Sequence, residues 1–282
     1  MIKRTVLALL LALLTIPMMA DGRRFTLVID AGHGGHDFGA PGAVTNEKTL
    51  TLRYALAFGR MVEERCPDVR VIYTRKRDVF IKLIDRAEIA NRNKADLFMS
   101  FHINAVEGSR SARGFQTWTL GRGANTGNKG IMENLDVAKR ENSVILMKKD
   151  YKQVYKGIDQ NSAESDIMFE FIADKNRERS VELAKLMQRE VCRATGRINA
   201  GAHQNNLAVL RLSSMPSCLL ELGFISTPDE ERFLNSDAAL TLYTQGIFNA
   251  FLQYKMRFAD KITVPYKADD NTPRALPQIV PD

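Results

Sequence analysis

Apolar runs of strand length alternate with segments of helical period along most of this chain, and no other feature restricts the fold as much. Phe25-Thr-Leu-Val-Ile29 is a β-rich run ending at Asp30, and a glycine-rich turn follows it. Leu52, Ala55, Phe58 and Val62 then recur at helical spacing until Pro67 ends the segment. Val69-Arg-Val-Ile-Tyr73 predicts a second strand, and Leu83, Ala87 and Ala90 mark the next helix. Asp96-Leu-Phe-Met-Ser-Phe-His102 predicts a third strand, and residues 114–120 a fourth. Two more apolar runs, 207–212 and 217–222, are separated by Ser-Ser-Met-Pro, and a helix over 237–258 closes the domain. This alternation implies an α/β fold, a three-layer αβα sandwich around a largely parallel twisted sheet.

Two regions break the rhythm. Residues 121–180 read as a long, polar, mostly helical insertion in which Ile131, Leu135, Ala138 and Ile145 share one helix face. After a domain spanning 21–259, residues 260–282 hold four of the nine prolines (Pro265, Pro273, Pro277, Pro281), which predicts a flexible tail. At the other end, Lys3 and Arg4 precede an apolar run, and Pro17-Met-Met-Ala20 ends in a small residue. That is the layout of a secretory signal peptide over residues 1–20. The apolar run is shorter than the ~20 residues of a spanning helix. An uncleaved anchor is the alternative.

Composition acts as a filter. With 45% hydrophobic and 26% charged residues over 282 positions, the chain is soluble and globular with room for a sizeable core. Without Lys3 and Arg4 the net charge falls from +7 to +5, and the remaining basic residues are spread with no aromatic-interleaved block. Nucleic acid is therefore not expected, and an acidic polymer is favoured only weakly. Cys66, Cys192 and Cys218 are too few and too scattered for a disulfide framework or a cysteine metal site. A metal site here must be built from histidines and carboxylates.

Two of the four histidines stand at the ends of predicted strands. His33 follows the first strand in Asp30-Ala-Gly-His-Gly-Gly35, and His102 ends the third. Glu47 opens the first helix and Glu221 ends the strand Ser217-Cys-Leu-Leu-Glu221. Ligands of open α/β sheets collect at the carboxyl ends of strands, where all four groups are expected. Two imidazoles and one carboxylate are a standard ligand set for catalytic zinc, and a second glutamate suits the proton acceptor that its water needs. Taken singly, a strand-end histidine is more often a hydrogen-bonded structural residue; the joint placement is what favours chemistry.

These residues also carry a resemblance. Asp30-Ala-Gly-His-Gly-Gly-His-Asp-Phe-Gly-Ala40, Glu47-Lys48, Arg86-Ala-Glu-Ile-Ala-Asn91, Ser100-Phe-His-Ile-Asn104 and Leu220-Glu-Leu-Gly-Phe-Ile-Ser226 resemble, in order and placement, the motifs of the zinc-dependent N-acetylmuramoyl-L-alanine amidases of the type-3 family. The resemblance covers residues 25–254. Leu222 and Thr227 depart from residues common in that family, and neither falls on a ligand position. It implies one Zn2+ per chain held by His33, Glu47 and His102, with Glu221 as the catalytic glutamate. The reaction it implies is hydrolysis of the amide joining N-acetylmuramic acid to L-alanine of the peptidoglycan stem, in wall turnover or cell separation. The partners implied are peptidoglycan and an activator protein that displaces a helix covering the zinc. Glu141, Glu164 and Glu170 are the candidate carboxylates of such a lid. A surface helical hairpin is the equal alternative for the insertion.

Other residues invite weaker readings. Asn104, on the same side of an extended segment as His102, is a candidate substrate contact or a turn former. Arg211, near an expected strand end, is a candidate for a stem-peptide carboxylate. His36 is expected to be solvated, with a metal or substrate contact as the alternative. His203 is expected to be exposed in a polar loop, with a place in the groove wall as the alternative, and Trp118 is expected to be a packed strand residue. A periplasmic monomer is expected, since the chain has a signal peptide and no evident wall-binding repeats. A zinc peptidase acting on another amide, and a metal-free wall-binding scaffold, are the competing functions.

Overall fold

The computed structural model describes residues 24–121 and 163–258, with the side chains of 163–175 and 177 outside it. Residues 1–20, the tail 260–282 and the apolar face from Ile131 to Ile145 thus lie outside the described residues. Six strands form one sheet: β1 (Phe25–Ala31), β2 (Val69–Tyr73), β3 (Leu97–Asn104), β4 (Phe115–Leu120), β5 (Asn199–Asn205) and β6 (Ser217–Phe224). Their order is β2-β1-β3-β6-β4-β5. The first four in that order are parallel, whereas β4 runs antiparallel to β6 and carries β5 parallel to itself.

The strand sequences decide the layers. Leu27, Ile29, Met99, Phe101, Leu220 and Leu222 point to one face, where α1 (Glu47–Arg65), α3 (Ala163–Thr195) and α6 (Asp237–Phe258) contribute Leu50, Phe58, Leu183, Met187, Val191, Ile247 and Phe251. The alternate residues Val28, Phe98, Trp118 and Leu219 form a smaller core with α2 (Leu83–Arg92) and α4 (Ala208–Arg211) on the other face. A sheet covered on both sides needs apolar residues at successive positions, and β1 and β3 are buried throughout. Phe58 lies 5.8 Å from Phe101 and 5.9 Å from Phe251, ring centre to ring centre. Truncating Phe101 would cost about 3–5 kcal/mol and loosen the strand that ends in His102. A short helix, α5 (Pro228–Asn235), follows β6.

Three expectations are corrected. The run 207–212 is not a strand: Ala208–Arg211 is a single helical turn, α4. The polar Gly-Ala-His-Gln-Asn stretch is not a loop but part of β5, an edge strand with no fully buried position, so it lacks the apolar alternation that would announce it. The insertion expected to reach residue 180 runs into α3, a continuous 33-residue helix whose later half is core.

Candidate metal centre

The chain leaves β1 through a turn that few sequences tolerate. His33 has φ +60°, Gly34 +130° and Gly35 +59°, all in the left-handed region. Two buried guanidinium groups hold this backbone. Arg75 donates to the carbonyls of Ala31 (2.9 Å) and Gly32 (2.8 Å), and Arg86 to those of Ala31 (2.6 Å) and His33 (2.8 Å). Arg86 is itself paired with Asp30 at 2.8 Å. Burial alone would raise the Asp30 carboxyl, but Arg86 and the hydroxyls of Thr74 and Ser100 hold it below the usual carboxylate value.

The same turn caps α1. Ala40 and Phe38 offer their carbonyls to the amides of Glu47 and Lys48, two donors that a helix start leaves without intrahelical partners. Glu47 thereby enters the site at the helix's first residue, fully buried. Its Oε2 accepts the Ala40 amide at 2.8 Å and lies 3.2 Å from His33 Nε2. Its Oε1 accepts the Ile103 amide at 2.9 Å and lies 3.0 Å from His102 Nδ1. Asp37 Oδ2 stands 2.9 Å from His33 Nδ1.

One donor atom each from His33, Glu47 and His102 lies within 4.8 Å of the others, and all three residues are buried. Two imidazole nitrogens and a carboxylate at this spacing fit a borderline divalent cation such as zinc. Glycines make the room. A Cβ on Gly32 would fall 2.4 Å from the His102 ring, and one on Gly39 2.6 Å from Glu47 Oε2.

Glu221 is the neighbour of His102 in the sheet register, with Gln116 of β4 on its other side, and it is fully buried. The four polar residues that sequence spacing singled out therefore meet at one end of the sheet. A groove of about 1320 Å³ opens from His33 and Asp37 and is lined by Asn104, Gln116, Trp118, His203 and the arginines of loop 105–114. Asn104 donates to Gln116 Oε1 at 2.7 Å.

Other candidates fall elsewhere. Arg211 occupies the last turn of α4 and not a strand end; it is buried and does not line the groove. Glu141 and the side chains of Glu164 and Glu170 lie outside the described residues. His36 is exposed against Phe80. The expected exposure of His203 is corrected, since it is half-buried in the groove wall. Asp37, Arg75 and Arg86 were not anticipated as supports. Asp37 stands in the same turn four residues after His33, a spacing that hints at its role. Arg86 opens one of the quoted motifs, whereas nothing local marks Arg75.

A profile of the N-acetylmuramoyl-L-alanine amidase family matches residues 27–253. The N-acetylmuramoyl-L-alanine amidase AmiA of Escherichia coli K12 is 29% identical over 236 residues, covering 82% of this chain and 78% of its own. AmiC of Neisseria meningitidis serogroup B is 30% identical over 237 residues, covering 83% of this chain and 53% of its own. Among solved structures, an N-acetylmuramoyl-L-alanine amidase from Clostridium difficile 630 superposes with a TM-score of 0.62 at 26% identity, covering 84% of this chain and 100% of that one.

Proposed function

The chain belongs to the N-acetylmuramoyl-L-alanine amidase family, and from that premise we propose that it is an exported, zinc-dependent enzyme. Its reaction is hydrolysis of the bond between N-acetylmuramic acid and L-alanine of the peptidoglycan stem. One observation carries the reading: two imidazoles converge on a single buried carboxylate, with Glu47 3.2 Å from His33 and 3.0 Å from His102.

His33, Glu47 and His102 would hold the ion. When bound, zinc supplies Lewis acidity, which polarises a carbonyl oxygen and brings the pKa of water to around 7. Glu221 takes the proton of the attacking water and returns it to the departing L-alanine amine, the two-way transfer of a general base that becomes a general acid. Its seat beside His102, outside the ligand cluster, supports that role. Asp37 keeps the hydrogen of His33 on Nδ1, and Asn104 and Gln116 offer amide groups to the substrate along the groove.

Export rests on residues 1–20, and a periplasmic site of action on that export. Among the described residues no helix is long and apolar enough to cross a membrane. The segment between β4 and α3 acts as a lid relieved by an activator protein in this reading, so deleting residues 122–162 should raise turnover. Unchanged or lower turnover would make it a surface hairpin.

The deciding experiment is zinc stoichiometry on the mature protein and its His33→Ala variant, paired with release of stem peptides from purified peptidoglycan. One zinc per chain and intact peptides, both lost in the variant, are expected. No zinc in metal-replete protein, or peptides cut within the stem, would overturn the reading.

A further inference from the structure

The groove has two unlike walls. Loop 105–114 brings Glu107, Arg110 and Arg113, whereas the β4–β5 side presents Gln116, Trp118, Ala200 and His203, none carrying a formal charge when the imidazole is neutral. On that second wall the imidazole of His203 lies on the Trp118 indole, ring centres 4.7 Å apart and planes inclined by 33°. His203 Nε2 donates to the Ala200 carbonyl at 2.8 Å, so in the neutral ring Nδ1 keeps a lone pair for a ligand donor. The ring reaches this place only because residue 201 is glycine: its φ is +100°, and a Cβ there would fall 2.9 Å from His203 Nε2. Nearer the metal ligands, Gln116 spends its Oε1 on Asn104, and its Nε2 makes no bond to a described residue.

We propose that this β4–β5 wall binds the glycan strand of the substrate, with the half-buried His203 ring as its platform and the buried Trp118 indole as the support beneath it. The inference rests on the amidase reading and adds which end of the substrate lies where. Sheet order gives the scale. Glu221 on β6 is two strand spacings from β5, about 10 Å, the length of two linked pyranose rings. Uncharged N-acetylated sugars suit a wall of amides and one ring face, that of His203, against which polarised C–H groups can pack. The carboxylates of a stem peptide suit the loop instead, through Arg110, since Arg113 is paired with Asp229 at 2.6 Å.

Trp118 is the chain's one tryptophan, so its emission reports on the platform directly. Titration with a peptide-free N-acetylglucosaminyl–N-acetylmuramoyl disaccharide should shift that emission saturably, and a free stem tripeptide should not. His203→Ala should weaken the disaccharide titration by up to about tenfold, the worth of one aromatic contact. The KM advantage of disaccharide–peptide over muramoyl–peptide should shrink in the same variant. Gln116→Ala should weaken the same titration and serves if His203→Ala does not fold. A response to the tripeptide alone, or a disaccharide response unaffected by both substitutions, would overturn the proposal. If neither substrate releases peptide, the amidase reading fails, and the emission titration still decides the wall.

Discussion

Asp37 Oδ2 lies 2.9 Å from Nδ1 of His33, four residues earlier in the same turn. A carboxylate only accepts, so Nδ1 carries the hydrogen and the lone pair is left on Nε2, the atom that faces Glu47. Burial would raise the Asp37 carboxyl, but His33 and the Gly39 amide hold it below its ordinary value. Replacing Asp37 by Asn weakens that control of the tautomer without adding bulk. Zinc affinity, read by competition with a chelator, should fall about 10- to 100-fold. Equal affinity in Asp37→Asn would remove the carboxylate from the account of the site.

Glu221 sits beside the cluster without belonging to it, which separates binding from turnover. Glu221→Gln keeps the shape and loses the base. One zinc per chain should remain while kcat drops by about 10²- to 10⁴-fold, the usual worth of a positioned proton acceptor. Loss of zinc in this variant would instead make Glu221 a ligand.

Gly32 tests the packing of the site. An added methyl would meet Cε1, Nε2 and Nδ1 of His102 at 2.4, 2.5 and 2.8 Å, all too close for a Cβ. The imidazole has little freedom, because its neighbours Phe101 and Ile103 are fully buried. Gly32→Ala should keep its circular dichroism and lose zinc binding. Retention of full zinc affinity would mean that His102 can yield, and that it is not held as the structure implies.

The site was legible in the sequence because its four chemical residues sit at or within three residues of element ends, although β3 runs on past His102 to Asn104 and β6 past Glu221 to Phe224. His33 follows one apolar run of strand length and His102 ends another, and Glu47 opens a clear helical period. What supports them was not legible. Arg86 meets Asp30 across 56 residues, and Glu231 accepts the amides of Ala43, Val44 and Thr45 from 186 or more residues away. No local pattern encodes such pairs. The exchange of identity between β5 and α4 has another cause. A four-residue buried run such as Ala208–Arg211 looks the same as helix or strand, and an edge strand need not alternate.

Arg86 and Asp30 form an ion pair, each at most 2% exposed, beneath the turn that carries His33. Arg86→Met removes the cation and keeps most of the volume, leaving the Asp30 carboxyl buried with only Thr74 and Ser100 as donors. At neutral pH the loss should be about 3–5 kcal/mol in urea unfolding, as for a buried pair broken on one side. The pH dependence follows from the direction of the shift. In the wild type Asp30 titrates below its unfolded value of about 3.9, so its stabilisation is full above that value and fades as pH falls through the folded one. Without Arg86, burial dominates and the folded value rises, so the variant regains stability as acid protonates the carboxyl. The gap between the two proteins should therefore narrow from about pH 7 to about pH 4.5. A gap that stays constant or widens would show that Arg86 acts through the carbonyls of Ala31 and His33 alone and not through Asp30.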